Sequence, residues 1–175
     1  MSVSVDVRDL IGKPGCHRTV HLSEPIAGLA TELATVPVDR PVEADLLMES
    51  VVEGVLASGP VTGVITYACA RCLKPFEGGF AVEVQELFAA EAEQDPDGDG
   101  YRMDEGFVDV EPLIRDAVVT SMPFAPLCRP DCLGLCSRCG GDLNLDECAC
   151  PPEADNRWEA LSSIRFDIDV TPGEE

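Results

Sequence analysis

The sequence predicts an α+β fold, an antiparallel β-meander with a few short helices and a C-terminal cysteine-rich module. Three observations carry this expectation. Apolar residues alternate with polar ones over several short runs, which is the period of a half-buried strand. One later run instead places Leu113, Ile114, Ala117 and Val118 at helical spacing. Nine cysteines are present, and most of them fall in short pairs after residue 127. With 45% hydrophobic but only 5% aromatic residues, the core must be built mainly from Val, Leu, Ile and Ala.

Taken in chain order, Val3, Val5 and Val7 alternate with polar residues, and after a turn at Gly12-Lys13-Pro14-Gly15 the run Thr19-Val20-His21-Leu22 reads as another short strand. Ser23 ahead of Glu24 and Pro25 is a sensible N-cap, so a short helix through Leu29 and Leu33 is expected, closed by Pro37 and Pro41. From Val42 the alternation sharpens: Val42, Ala44, Leu46 and Met48 point one way, Glu43, Asp45 and Glu49 mostly to water. A turn at Ser58-Gly59-Pro60 then opens a second strand through Val61, Gly63, Ile65 and Tyr67, which meets Cys69. After Pro75 and the Gly78-Gly79 pair, Phe80, Val82 and Val84 supply the third strand of the meander.

Between Glu83 and Glu105 nine acidic residues face one Arg. The stretch Asp95-Pro96-Asp97-Gly98-Asp99-Gly100 copies the start of a calcium loop, yet Gly106 stands where the bidentate Glu belongs, so a solvated acidic loop is expected. Phe107-Val108-Asp109-Val110 returns to strand character. A helix from Glu111 to Ser121 follows, opened by acid and proline and stopped by Pro123. Trp158, Leu161 and Ile164 recur at helical spacing in a short closing helix. The organisation expected is therefore a mainly antiparallel β domain over 1–110 with an acidic loop near 91–105, a helix plus cysteine module and closing helix over 111–165, and an acidic tail over 166–175.

Several function classes fall away. No apolar run approaches the ~18 residues needed to cross a bilayer, and the N-terminus has neither a basic region nor an apolar segment of a secretory signal. A cytoplasmic chain with no membrane partner is expected. The net charge of −21 repels phosphate at long range, and no glycine-rich phosphate loop follows any strand.

The cysteines carry the chemistry. They are Cys69-x2-Cys72, then Cys128-x3-Cys132-x3-Cys136-x2-Cys139, then Cys148-x-Cys150, with Cys16 outside the pattern and expected to be a small buried or half-buried residue. In a reducing compartment an odd, clustered set argues for metal rather than disulfides. A structural zinc takes four thiolates, and a two-residue gap lets both sulfurs of one turn reach the ion while backbone N–H groups point at them. Two structural zinc sites in a C-terminal zinc-binding module are expected. Pairing Cys136 and Cys139 with Cys148 and Cys150 leaves Cys69 and Cys72 for Cys128 and Cys132; the competing partition groups Cys128, Cys132, Cys136 and Cys139 and sends Cys69 and Cys72 to Cys148 and Cys150. A redox CxxC wants a helix N-terminus inside a βαβ unit, and neither CxxC has that setting.

Catalysis finds no motif. Hydrolytic zinc keeps one position open and usually includes His, whereas this chain has only His17 and His21. No enzyme activity and no small-molecule substrate are expected. Arg71, Lys74, Arg129 and Arg138 make the cysteine segments locally cationic. Two accounts stand for them: neutralisation of the thiolate charge, or contact with RNA or an acidic partner.

Cys69-Ala70-Arg71-Cys72-Leu73, the passage Val108 to Asp116, Met122-Pro123, and Leu127 through Gly140 with Asn144, Cys148, Cys150 and Arg157 resemble the YceD-like proteins of bacteria and plastids. The resemblance implies a non-enzymatic factor that supports accumulation of large-subunit ribosomal RNA, with a ribosomal protein or the large-subunit rRNA precursor as partner. A reading from a different class is a zinc-linked thiol redox switch or holdase.

Overall fold

The computed structural model describes residues 2–89, 101, 103–145, 148–150, 161 and 164. Eight strands and one helix follow in chain order among these residues: β1 (Ser4–Asp6), β2 (His17–Glu24), β3 (Ala34–Thr35), β4 (Val42–Ser50), β5 (Gly54–Ala68), β6 (Pro75–Ala89), β7 (Met103–Asp104), β8 (Phe107–Asp109) and α1 (Glu111–Ser121). Every pairing between these strands is antiparallel. The larger sheet runs β2-β4-β5-β6, with β3 sharing the edge of β5 that β4 leaves free at its far end. The smaller sheet is β1-β8-β7.

The alternation in β4 survives intact: Val42, Ala44, Leu46 and Met48 are all buried, and Glu43 and Asp45 are exposed. These side chains meet Val55, Ala57, Val61 and Ile65 of β5, Val84 and Phe88 of β6, and Leu113, Ile114 and Val118 of α1 in one continuous core. The helix begins at its acid–proline opening and ends ahead of Pro123. Asp109 Oδ1 accepts from the Glu111 N–H at 3.1 Å, relieving one of the unpaired donors of the first turn. Arg115 pairs with Glu111 at 2.6 Å and also donates to the Ala27 carbonyl at 2.9 Å, tying the helix to the loop after β2.

Three expected elements differ. The helix through Leu29 and Leu33 is absent; the chain instead turns at Gly28, whose φ is +76°, and folds into a tight hairpin. There Ala30 bridges Thr35, and the Val36 N–H reaches the Leu29 carbonyl at 2.9 Å. Burial of Ile26, Leu29, Ala34 and Val36 outweighs the local helical preference. The turn expected at Ser58-Gly59-Pro60 lies inside β5, and the chain reverses earlier, where the Val51 N–H donates to the Gly54 carbonyl. Pro60 is tolerated because the β4–β5 register passes from Ala44↔Val61 to Leu47↔Ser58 with no partner recorded between them. The third strand starts at Pro75, not Phe80, and Gly78 lies within it. A Cβ on Gly63 would meet the Phe80 ring at 2.6 Å, and one on Gly78 would meet the Tyr67 ring at 3.0 Å, so these glycines make room for aromatic rings of the facing strand.

Cys16 is exposed rather than buried. Of the few short helices expected, α1 is the one α-helix described. The centre of the acidic loop, Trp158 of the closing helix and the tail over 166–175 lie outside the described residues. No helix among those described is long and apolar enough to cross a membrane.

Two outcomes test this packing. Gly59 has φ +146° and a Cβ there would sit 2.1 Å from the Asp45 carbonyl oxygen, so Gly59→Ala should lower the stability measured by urea unfolding by about 1–3 kcal/mol. His21 Nδ1 lies 2.5 Å from Asp45 Oδ1 across the β2–β4 pair, and that carboxylate raises the imidazole above its ordinary 6.5. A raised pKa stabilises the fold in full below the unfolded value and loses that contribution as pH rises through the folded one. NMR titration should place His21 above 6.5, Asp45→Asn should bring it back, and the stability gap between the two proteins should close as the solution becomes alkaline.

Candidate metal centres

The six residues between β5 and β6 are Cys69-Ala70-Arg71-Cys72-Leu73-Lys74, so the first CxxC is the tip of a long two-stranded hairpin. The tip closes through Cys69 N–H to the Lys74 carbonyl at 3.0 Å and Leu73 N–H to the Cys69 carbonyl at 2.8 Å. Leu73 takes φ +59° to complete the turn and is exposed. Downstream of α1, the chain comes back to this tip: Ala70 N–H donates to the Pro126 carbonyl at 2.8 Å, and Leu135 N–H to the Arg71 carbonyl at 3.1 Å. Those bonds bring Cys128 and Cys132 to Cys69 and Cys72.

All four sulfurs of that group lie within 4.8 Å of one another. Cys69 Sγ is 3.8 Å from Cys132 Sγ, and Cys72 Sγ is 3.7 Å from Cys128 Sγ. A tetrahedron of thiolates with metal–sulfur bonds of ~2.3 Å has an edge of ~3.8 Å. Cys69, Cys72 and Cys132 are buried, and Phe76, Leu127 and Leu135 pack around them. Cys136, Cys139, Cys148 and Cys150 form a second group on the same criterion, with none of the four buried. Here Cys139–Cys148 is 3.5 Å and Cys148–Cys136 is 3.3 Å, and the N–H groups of Arg138 and Cys150 point at Cys136 Sγ and Cys148 Sγ at 3.4 Å each. The structure therefore has the first of the two partitions that spacing left open. Each group fits a single ion: four sulfurs, no His, and backbone donors aimed at the thiolates.

Protonation follows the same geometry. Backbone N–H groups, that of Cys128 foremost, hold Cys69 down to about 6, and those of Cys139 and Arg138 do the same for Cys136. Desolvation and then its thiol neighbours push Cys128 up to about 12; hydrogen bonding to Cys148 and Cys139 pushes Cys150 up to about 12. In each group one thiolate forms easily and another resists added negative charge, a conflict that a divalent cation relieves.

Asp142 and Asn144 join the two groups. Asn144 donates from Nδ2 to Cys132 Sγ at 3.6 Å, and its Oδ1 accepts from Leu133 N–H at 2.8 Å and Arg129 at 2.7 Å. Asp142 Oδ1 accepts from the backbone and side chain of Asn144, while Oδ2 pairs with Lys74 at 2.6 Å. That ammonium, with the Asn144 N–H, holds the Asp142 carboxyl down at about 2. Three of the four basic residues singled out from sequence are thus engaged within the chain: Lys74 with Asp142, Arg129 with Asn144 and Asp131, and Arg71 with the Cys132 carbonyl at 2.7 Å. Arg138 is exposed, with no ion pair recorded among the described residues. Asp142 went unnoticed in the sequence because an acidic residue between two cysteine pairs carries no spacing signal.

The grouping has a direct test in the double variant C69S/C128S. Both residues belong to one group here, so native mass spectrometry should find one metal ion retained; the competing partition requires that both ions be lost.

Comparison with protein-family models matches residues 57–165 to the family described as large ribosomal RNA subunit accumulation protein YceD. An uncharacterised protein of Mycobacterium tuberculosis is 37% identical over 167 residues, covering 91% of this chain and 79% of that protein. One from Mycobacterium leprae is 34% identical over 168 residues, covering 93% and 77%. A Zea mays protein named large ribosomal RNA subunit accumulation protein YCED homolog 1, chloroplastic, is 26% identical over 126 residues, covering 54% of this chain and 43% of its own. No solved structure matches. With the family match running from β5 through α1 and across all eight clustered cysteines, the chain belongs to the YceD family.

Proposed function

We propose that this protein is a non-enzymatic, zinc-binding factor in ribosome biogenesis, supporting accumulation of large-subunit ribosomal RNA by holding a basic ribosomal protein. The family description and the name of the maize relative support the ribosomal role. The observation that carries the rest is the pair of four-cysteine groups, the first of which joins the hairpin tip to the chain beyond α1. Thiolates from four cysteines would fill every position of a tetrahedral zinc, leaving none for water or substrate, so the ions would serve structure. Zinc supplies the positive charge that lets four thiolates share one small volume.

Electrostatics favour a protein partner over RNA. The chain carries a net charge of −21. Around the cysteines Arg71, Lys74, Arg129 and Arg138 face Asp131 and Asp142, and each zinc-filled tetrathiolate centre carries a charge of about −2. Once filled, this end of the molecule is not a basic face. RNA binding depends on cations that displace counterions from phosphate, whereas a basic ribosomal protein is drawn to an acidic surface and associates quickly with it.

Two measurements test this reading. Native mass spectrometry of reduced protein should find two zinc ions per chain, and chelation should lower the melting temperature, since a structural site contributes on the order of 10 kcal/mol. Affinity capture under reducing conditions should recover a large-subunit ribosomal protein that survives ribonuclease and is shed at high salt. Loss of the partner on ribonuclease treatment would instead favour RNA, and a partner seen only after oxidation would favour the thiol switch or holdase.

A further inference from the structure

β5 covers one edge of β6 along its whole length, in register from Gly54↔Ala89 to Ala68↔Pro75. Among the described residues no strand pairs with the other edge. A groove of about 630 Å³ lies between β6 and α1, lined by residues 82–86 of the strand and by Tyr101, Leu113, Asp116 and Ala117 among others. Successive side chains of a strand point to opposite faces. Five consecutive residues can share one groove only where it follows the backbone, so this groove runs along that edge, whose far end is met by Tyr101, its carbonyl accepting from the Ala89 N–H at 3.2 Å.

The side chains around the edge say what suits it. Glu83, Gln85 and Glu86 are exposed on the strand, and Asp116 is exposed on the helix, its Oδ2 accepting from the Tyr101 hydroxyl at 2.7 Å. Among the described residues no Lys or Arg lines the groove, while Val84 and Leu113 give it a buried apolar floor. Open edges are hazards for self-association, and charged side chains are one protection against it. A second copy of this chain would bring the same carboxylates to the same edge and be repelled. An extended segment rich in Lys and Arg meets unpaired backbone groups and opposite charge together.

We propose that the free edge of β6, beside α1, receives an extended lysine- and arginine-rich segment of a partner protein by strand addition. The assignment rests on the reading above that the partner is a basic protein, and it places that contact at the opposite side of β6 from β5, with the carboxylates of Glu83, Glu86 and Asp116 pairing with its basic side chains.

The probe is a fluorescein-labelled ten-residue peptide in which pairs of lysines alternate with pairs of valines, so that each face of the strand carries lysine, titrated by anisotropy into the full-length protein at low salt. It should bind saturably, and hydrogen exchange at residues 82–86 should slow in the complex. E83K/E86K, shown to be folded by circular dichroism and unchanged in metal content, should weaken binding by about tenfold or more. A peptide N-methylated at alternate amides keeps every charge but cannot pair as a strand, and should bind far more weakly. Failure of the lysine peptide to bind, equal binding of the methylated peptide, or indifference to E83K/E86K would each overturn the proposal. If E83K/E86K captures the same ribosomal protein as wild type, the edge assignment fails and the function stands; if no ribosomal protein is captured while the peptide still protects residues 82–86, the reverse holds.

Discussion

Four sulfurs held within 4.8 Å of one another, drawn from positions up to 63 residues apart, are the constraint on which the far end of this molecule depends. Ordering a loop of that length costs ~4 kcal/mol in chain entropy. Little apolar burial is available there to offset it: beyond the three buried cysteines, the local cluster consists of Phe76, Leu127 and Leu135. The backbone bonds from the hairpin tip to Pro126 and Leu135 bring the two chain segments together, and the Asp142–Asn144 bridge fixes their direction. The second group, with none of its cysteines buried, hangs from the first through that bridge.

At the other end the logic is that of an ordinary β protein. The hairpin of β5 and β6 runs from the apolar core, where Val55, Val61, Val84 and Phe88 are buried, out to Cys69. With 15 residues in each arm it spans roughly 50 Å if extended, so one secondary structure connects the core to the cysteine groups. One edge of the larger sheet is β2, and the other is β6 with its acidic rim.

The parts legible in advance were those where one signal dominates. β4 alternates cleanly because one face is buried throughout, and α1 runs from Glu111 to Ser121 because proline opens it, proline follows it and its apolar residues repeat at helical spacing. Misreadings arose where glycine and proline mean two things. At Ser58-Gly59-Pro60 they mark a lapse in a ladder, and at Gly78 they accommodate an aromatic ring, yet in sequence both look like turns. Residues 25–33 have a helix-like opening, but four apolar side chains find the core only if the chain folds back as a hairpin.

For the cysteines, spacing and residue type were enough to single out the eight that cluster and the number of groups, because knuckle geometry is local and repeats wherever two residues separate a pair. Which group each pair joined was a matter of packing, since Cys69 and Cys72 could in principle be brought to either downstream set. The choice came from bonds between segments remote in the chain, Ala70 to Pro126 and Leu135 to Arg71, whose formation depends on where β5, β6 and α1 leave the chain in space. Internal use of Arg71, Lys74 and Arg129, and the exposed acidic edge of β6, arise in the same way: a residue type announces its charge, but only neighbours distant in sequence determine whether that charge is spent inside the molecule or offered to a partner.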